Sequence, residues 1–416
     1  MRKRALMMLF LVPFLQTGCW DTREVDRLAS VLAFGIDRIP GNEPILLTVQ
    51  IATPDTAKGG NKDVKAGGKA FTVMSSKGKT FSDAIHNLGS RSMRKVFFSH
   101  SKLIVLGKDL AETGIGEIID DLKRDREFRR IDWILTTDMT AKEILEHGFS
   151  MEQIPSKGLD QILQESKESG LILPVNCNDF FVRLNGDSHV SFTPLVQLVD
   201  IDKQMTSQLE EVAGRPLESE VKPKTLTVAK TVIYKNQQMI GELNENESKA
   251  LMWLVDSPKG GFITYTFAPE ASTNGEKGKI SLDISDGKTI ITPQISDNSI
   301  SISIVCNAKA SIIEAETVGI DILNPMIVAQ LEAKAAETLK LQLEQIIDKA
   351  QKELKSDCVG FAEHLHTQYP VAWKRVKNNW EDIFPTIEYH VSCEVRILNT
   401  GMINNTLPTN EAGGIN

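Results

Sequence analysis

Apolar residues recur at every second position in several parts of the chain, and this period predicts β-strands. Residues 45–51 follow it early in the chain. Residues 300–312 and 387–397 follow it over much longer stretches, with polar side chains between the apolar ones. Because such a strand buries one face and exposes the other, these two stretches predict an antiparallel sheet that is covered on one side.

Residues 326–355 predict the cover of that sheet. The stretch contains no Gly or Pro, and Leu331, Leu339, Leu343 and Leu354 lie on one apolar stripe at helical spacing. It predicts a helix of about 30 residues, or about 45 Å at 1.5 Å per residue. We expect this helix to lie across the sheet.

The rest of the pattern alternates shorter strands and helices. Apolar runs predict buried strands at 96–106, 131–135 and 190–199, a hairpin from 226–234 and 238–243, and strands at 261–267, 279–285 and 288–295. Thr140 with Glu143, and Asn244 with Glu247, have the spacing of capped helix starts. The chain is therefore predicted to be a multi-domain α+β protein with mostly antiparallel or mixed sheets, each covered by helices, and the long helix in its C-terminal domain.

Composition divides the chain into five segments. Residues 202–223 are polar, contain Pro216 and Pro223, and show no period, which predicts a domain boundary or linker. We expect the segments to be a removed signal peptide at 1–18, an N-terminal α+β region of two subdomains at 19–201, the boundary at 202–223, a C-terminal α+β domain at 224–399 and a disordered tail at 400–416.

The first apolar run has the layout of a secretory signal that ends in a cysteine. Three basic residues at 2–4 precede about eleven mostly apolar residues, too few for a bilayer core, which requires about 20. Leu15–Cys19 resembles a bacterial lipobox, with its Leu one position earlier than usual. We predict that Cys19 receives a diacylglyceryl group and acyl chains such as palmitate, which together anchor the mature chain to a membrane. An ordinary secretory signal with a chance cysteine is the alternative.

The charge of the chain restricts its partners. The formal net charge is −8, and removal of the three positive charges of Arg2, Lys3 and Arg4 leaves −11. Such an acidic chain is not expected to bind nucleic acid, or anionic lipid headgroups, through a general field. No later stretch reaches 18 apolar residues, so no second membrane crossing is expected.

Four further cysteines are Cys177, Cys306, Cys358 and Cys393, and their spacing fits no short metal motif. We expect free, buried thiols, because a chain of this length can be stable without disulfides. The sequence leaves their pairing open.

Catalytic motifs are absent from the sequence, including G-x-S-x-G, H-E-x-x-H, the P-loop and G-x-G-x-x-G. His364 and His366 would point about 200° apart on a helix and so would not share a metal. We interpret His100, beside Phe97 and Phe98, as a core histidine rather than a catalytic base. No catalytic, cofactor-binding or metal site is predicted, and the chain is not expected to be an enzyme.

Several blocks of the sequence together form a recognisable series. The first block is Cys19 followed by Trp20-Asp21-x-Arg23-Glu24, and the next is an apolar run that closes on Gly35-Ile36-Asp37. Later blocks are Phe97–Gly107 with Leu110-Ala111 and Gly114, Arg124–Phe128, and Ala141–Leu145. This series resembles the Ger(x)C family, the lipoprotein C subunits of spore germinant receptors, and the long helix, Trp373 and the final strand resemble the family's C-terminal domain.

The resemblance implies an accessory subunit made of three α+β domains. It implies attachment to the outer face of the inner spore membrane, and partnership with an A subunit and a polytopic B subunit in the response to nutrient germinants. It brings no catalytic residues, and it does not identify the germinant, the contact surface or the oligomeric state.

Two other classes of protein remain as alternatives. A lipid-anchored solute-binding protein would capture a nutrient itself, but that class usually has two lobes with parallel sheets, unlike the C-terminal half of this chain. An envelope enzyme is disfavoured by the missing motifs. Binding of a small molecule is therefore not expected.

Overall fold

A nine-stranded sheet forms the first part of the molecule. The computed structural model describes residues 28–53, 70–147, 152, 154–200, 224–256, 258, 260–268, 278–296, 299–316 and 324–399. The strands of the large sheet are β1 (Leu28–Arg38), β2 (Ile45–Ala52), β3 (Phe71–Gly78), β4 (Lys95–Phe97), β5 (Leu103–Leu106), β6 (Trp133–Thr137), β7 (Val190–Asp200), β8 (Lys224–Lys235) and β9 (Gln238–Leu243). Their order across the sheet is β3-β2-β1-β5-β6-β7-β8-β9, and β4 pairs with the start of β1.

The centre of the large sheet is parallel and its two sides are antiparallel. Strands β1, β5, β6 and β7 run in one direction, whereas β2, β3, β8 and β9 form antiparallel pairs. Parallel neighbours require crossover connections, which here contain helices. These helices are α1 (Phe81–Arg91), α2 (Lys108–Thr113), α3 (Gly116–Arg124), α4 (Ala141–Glu146), α5 (Pro155–Ser169) and α6 (Cys177–Leu184).

Helices cover both faces of this sheet. Leu88, Leu110 and Ile118, from α1, α2 and α3, belong to one continuous apolar core that extends into the C-terminal half. On the opposite face, Ile144 of α4 and Leu159 of α5 pack in a separate core. The N-terminal half therefore has three layers, with the sheet between two layers of helices.

A second sheet carries the C-terminal half. Its strands lie in the order β10 (Phe262–Phe267), β11 (Gly278–Ser296), β12 (Ser299–Ala315) and β13 (Glu388–Asn399). Helix α7 (Glu245–Val255) follows β9, and α8 (Pro325–Asp348) continues as a π-helix over Lys349–Glu353. The last helices are α9 (Phe361–Gln368), α10 (Pro370–Val376) and α11 (Trp380–Ile383). A short 3₁₀ turn follows α10 at Lys377–Asn379, and another follows α11 at Phe384–Thr386.

The long helix covers one face of the second sheet, as the sequence predicts. Its stripe residues Leu331, Ala335, Leu339 and Leu343 are fully buried. The buried residues of β12 are Ile302, Ile304, Cys306, Ala308, Ala310 and Ile312. The hairpin of β8 and β9 and both predicted capping boxes, at Thr140 and Asn244, are also confirmed.

Three details of the predicted strands are wrong. Strands β12 and β13 are parallel rather than antiparallel, because the chain crosses over through α8 between them. The predicted strands at 279–285 and 288–295 are one strand, β11, with a bulge between Ile284 and Asp286. The predicted strand at 96–106 is divided into β4 and β5 by a turn in which the Ser101 amide donates to the Phe98 carbonyl at 2.8 Å.

The large sheet continues past the segment predicted to be a boundary. Strand β8, which begins at Lys224, pairs along its length with β7, and β9 follows it in the same sheet. All described strands between Leu28 and Leu243 therefore share one sheet, and the second sheet begins with β10. The division of the chain into domains stays a prediction, and residues 1–27, 201–223 and 400–416 lie outside the described residues.

The four described cysteines are free thiols. Cys177, Cys306 and Cys358 are buried as predicted, and Cys393 is partly exposed. Cys306 and Cys393 are partners in the β12–β13 register, which their separation of 87 positions in the sequence does not reveal.

The buried stripe of α8 leads to a stability prediction. Leu339→Ala should lower the free energy of unfolding by about 2–5 kcal/mol, because it removes a fully buried side chain and leaves a cavity. Leu341→Ala is the matched control: Leu341 lies on the same helix with half of its surface exposed, so its loss should cost under about 1 kcal/mol. Urea unfolding of the native chain and both variants measures the difference. Equal losses of unfolding free energy in the two variants would mean that the stripe is not the buried face of α8.

Candidate functional site

The carboxylate of Asp37 lies at the end of β1 and caps helix α4. Its two oxygens accept hydrogen bonds from the backbone amides of Ala141 at 2.7 Å and Lys142 at 3.2 Å. Thr140 adds a capping box with Glu143 at the same helix end. Burial raises the pKa of Asp37 to about 6, and the two amide hydrogen bonds oppose that rise.

Two glycines allow this close packing. A side chain at Gly35 would place its Cβ 2.6 Å from the Cβ of Ala141, and one at Gly107 would collide with Asp37 itself. At the other end of α4, Gln50 donates to the Leu145 carbonyl at 3.0 Å and accepts from the Ser156 hydroxyl. Buried polar groups from β1 and β2 thus fix both ends of α4. Within Gly35-Ile36-Asp37, the glycine lets α4 approach the sheet and the aspartate caps the start of the helix.

An aromatic cluster joins three of the sequence blocks singled out above. The rings of Phe34, Phe98 and Phe128 pack with centroids 5.1 to 5.4 Å apart, and Phe81 joins them. Phe98 belongs to the block that begins at Phe97, and Phe128 ends the block that begins at Arg124. These blocks are consequently explained by the packing of the N-terminal core around β1.

One concave site lies between the two halves of the molecule. A cavity of about 360 Å³ is lined by α6, the start of β7, the end of α7 and the start of α9. Its polar lining includes Asp179, Arg183, Glu363 and His364, and its apolar lining includes Val190, Phe192 and Leu254.

Two charged groups of this cleft, Glu363 and Arg183, contact the turn before β7 and an aromatic ring. Glu363 accepts from the Ser188 amide at 3.2 Å and from the Ser188 hydroxyl at 2.8 Å, which ties α9 to the turn before β7. The Arg183 guanidinium lies 4.7 Å from the ring centroid of Phe192, and burial lowers its pKa against the opposing charges of Glu363, Asp179 and Asp256. Two further contacts join the halves: His366 Nδ1 lies 2.6 Å from a carboxylate oxygen of Asp187, and the Lys235 ammonium lies 3.1 Å from Glu381.

The remaining titratable groups of the cleft have structural partners. Asp357 is buried and accepts from the amides of Gly360, Phe361 and Ala362 and from the Trp380 indole, which caps α9. Burial, and then the nearby charge of Glu363, raise the pKa of Asp357. Burial also raises the pKa of the Cys358 thiol to about 12, so this thiol stays protonated and is a poor nucleophile. The arrangement is suited to holding the two halves together.

The structure describes only some of the residues named from the sequence. Cys19 and the block Trp20–Glu24 lie outside the described residues. His100 is exposed, so the interpretation as a core histidine is wrong. Its Nδ1 lies 3.3 Å from the Ser30 hydroxyl at the surface. His366 pairs with Asp187 and stacks on Trp373, whereas burial lowers the pKa of His364.

Sequence reasoning missed the cleft altogether. Arg183 and Glu363 are 180 positions apart, and neither belongs to a recognisable motif. Among the described residues, no group of three or more His, Cys, Asp or Glu side chains is arranged to hold a metal ion. No helix in the described part of the chain is long and apolar enough to cross a membrane.

Comparison with protein families gives two matches in tandem. Residues 21–198 match the family described as "Spore germination protein N-terminal domain". Residues 230–401 match the family described as "Spore germination B3/ GerAC like, C-terminal". Together the two matches cover most of the chain.

Full-length relatives and one solved structure agree with these matches. The chain is 26% identical to spore germination protein KC of Bacillus subtilis (strain 168) over 410 residues, which cover 97% of each chain. It is 23% identical to spore germination protein B3 of the same organism over 401 residues, or 95% of this chain and 97% of that protein. The crystal structure of the GerBC protein superposes with a TM-score of 0.53 at 18% identity, covering 91% of this chain and all of that one, which shows a shared fold.

The burial of Asp37 leads to a prediction about pH. Because the pKa of Asp37 is 3.8 in its ordinary state and about 6 in the folded chain, the folded state binds this proton more tightly. Its contribution to the free energy of unfolding is present below about pH 4 and is lost as the pH rises through about 6, a change of about 3 kcal/mol. Asp37→Asn should therefore flatten this part of the stability profile.

Urea unfolding between pH 4 and 7 compares the native chain with the Asp37→Asn variant. The control is Asp286→Asn, an exposed position of the second sheet, which should keep the native pH profile. A native profile in the Asp37→Asn variant would contradict the assignment.

Proposed function

The chain belongs to the Ger(x)C family of spore germinant-receptor C subunits, and on this premise we propose that it is the lipid-anchored subunit of a nutrient receptor. In this proposal it acts through contacts with other proteins rather than by catalysis. Its partners are the integral-membrane A and B subunits, and it lies on the outer face of the inner spore membrane, held by lipid at Cys19.

The observation that carries this proposal is the tandem match to both family models along chains of equal length. The matched residues 21–198 and 230–401 leave no room for an added domain of another kind between them. The match begins two positions after Cys19, so the receptor fold follows directly on the anchor that the lipobox-like stretch indicates.

The chemistry of the described residues supports contact rather than catalysis. In the cleft, Glu363 is engaged by Ser188, Asp357 caps a helix, and the Cys358 thiol is buried and protonated. A reacting group requires an activating base or acid beside it, whereas the hydrogen bonds of Glu363 and Asp357 are made to the Ser188 turn and to the start of α9.

The second sheet offers a surface for such contacts. The face of β11 and β12 that points away from α8 is exposed, and Ile290 and Val305 are register partners on it with 45% and 39% of their surfaces exposed. Ser303 and Asn307 flank Val305 on the same face. A flat polar face with a small apolar centre is typical of transient protein contacts.

The anchor is tested by Cys19→Ala. We expect the variant to leave the membrane fraction while its body stays folded, because two acyl chains give stable attachment and the remaining body has no described membrane-spanning helix. Cys393→Ala is the control, since it removes a partly exposed thiol of the body and should stay in the membrane fraction. Equal retention of both variants in fractionated spores would contradict the anchor.

The receptor role is tested by binding and by deletion. Every described element lies at residue 28 or later, so a lipid-free chain of residues 20–416 keeps the whole described fold. Calorimetry of this chain against amino acids, sugars and nucleosides should show no saturable binding, whereas spores without the protein should fail to respond to one of those nutrients. Micromolar binding would favour the solute-binding alternative, and normal germination on every nutrient, in a strain without other receptors, would remove the receptor role.

A further inference from the structure

Basic residues are concentrated at one end of the large sheet. The four central strands are parallel, so the chain enters β1, β5, β6 and β7 at the same end. Helices α1 and α3 end there too, since Arg91 precedes β4, and Lys95 of β4 pairs with Leu28 at the start of β1. The Lys95 ammonium lies 3.4 Å from Glu127, which brings the loop after α3 to the same place.

We define the basic end as residues 91–102 and 124–131. It contains eight basic side chains and two acidic ones, Asp125 and Glu127, although the whole chain has a net charge of −8. The basic residues, all exposed, are Arg91, Arg94, Lys95, Lys102, Arg124, Arg126, Arg129 and Arg130.

Three of these eight charges, Arg94, Arg126 and Arg130, have no structural role among the described residues. Lys95 pairs with Glu127, and Arg124 pairs with Asp120 at 2.7 Å. The other six form no salt bridge with a described carboxylate. Burial raises the pKa of Asp132 to about 7, and the charges of Arg129 and Lys102 oppose that rise. Arg91 and Arg124 end helices, where the helix dipole favours a positive charge, but that reason does not apply to Arg94, Arg126 or Arg130.

Two large apolar side chains project from the same end. Met93 is fully exposed and lies between Arg91 and Arg94, and Ile131 is 61% exposed directly after Arg129 and Arg130. Exposed apolar side chains among basic ones are the pattern with which a protein surface enters the headgroup region of an anionic bilayer.

The basic end is also where the chain arrives from its anchor. Leu28 follows Cys19 by nine positions, and nine residues span at most about 32 Å even when fully extended. We propose that the basic end is a membrane-facing surface that binds the anionic phospholipid headgroups of the membrane to which the chain is anchored. This proposal rests on the anchor proposed at Cys19. Met93 and Ile131 enter the headgroup layer, and the arginines contact the phosphates.

Cosedimentation of lipid-free chain, residues 20–416, with vesicles of defined composition tests this surface. The native chain should cosediment with vesicles of phosphatidylglycerol mixed with phosphatidylcholine, bind much less to pure phosphatidylcholine, and lose binding as salt is added. The triple variant Arg94→Glu, Arg126→Glu, Arg130→Glu should bind the anionic vesicles at least about tenfold more weakly.

A matched control reverses three exposed lysines at the opposite end of the same sheet. Lys77 and Lys79 flank the end of β3 beside the end of β1, and Lys224 begins β8 beside the end of β7. The triple variant Lys77→Glu, Lys79→Glu, Lys224→Glu makes the same change in net charge and should bind like the native chain. Circular dichroism and thermal unfolding confirm that both triple variants are folded.

A second pair of variants separates the apolar contribution. Met93→Ser with Ile131→Ser should weaken vesicle binding and leave its salt dependence in place, whereas Met326→Ser with Ile313→Ser, exposed positions of the C-terminal half, should not. Equal losses in both lysine and arginine triple variants, or binding without dependence on anionic lipid, would overturn the proposal.

A protein partner for the basic end is the other result that would overturn it. In that case the native chain binds none of the vesicles, and the arginine variant no longer copurifies with the receptor's membrane subunits. Because all vesicle measurements use lipid-free chain, they are independent of whether Cys19 is modified, and fractionation of Cys19→Ala tests that question separately.

Discussion

The buried carboxylate of Asp37 determines where the helices lie on one face of the large sheet. Removing a carboxylate from water is costly unless hydrogen bonds and favourable dipoles replace the water. Here the first amides of α4, at the positive end of the helix dipole, offset part of that cost, and burial still raises the pKa of Asp37 to about 6. Gly35 and Gly107 provide the space, and Gln50 fixes the other end of α4 and the start of α5. The position of the outer helix layer therefore depends on one charge at the end of β1.

Local pattern was enough to predict elements but not how distant elements pair. The alternation in β12 and the stripe of α8 are properties of neighbouring residues, so both were predicted, as was the capping box at Thr140. The parallel direction of β13 depends on a crossover of more than 70 residues, which no period records. Pairing of β8 with β7 likewise brings together strands from either side of a polar segment. The turn at 98–102 contains no Gly or Pro, so its sequence gives no break signal that would divide β4 from β5.

The candidate site was less predictable than the fold, for a related reason. Gly35-Ile36-Asp37 was visible as a motif, but its role in capping α4 requires knowing that residue 141 lies beside residue 37. Arg183 and Glu363 come from opposite halves of the chain, and only the fold brings them to the lining of one cleft. His100 was misplaced because Phe97 and Phe98 suggest burial, whereas the turn that follows them directs the imidazole to solvent.

The distribution of charge matters more for this protein than its sum. With the signal removed the chain carries −11, and the basic end carries six net positive charges, so the remaining body carries −17. An anionic surface attracts the basic end and repels the rest, which produces a torque on the tethered body in addition to any headgroup contact. The field falls off over a Debye length of about 8–10 Å, so it acts on the basic end only when that end lies close to the membrane surface. With the anchor proposed at Cys19, one acidic chain can therefore have a defined orientation on an acidic membrane, with the exposed face of its second sheet left for receptor partners.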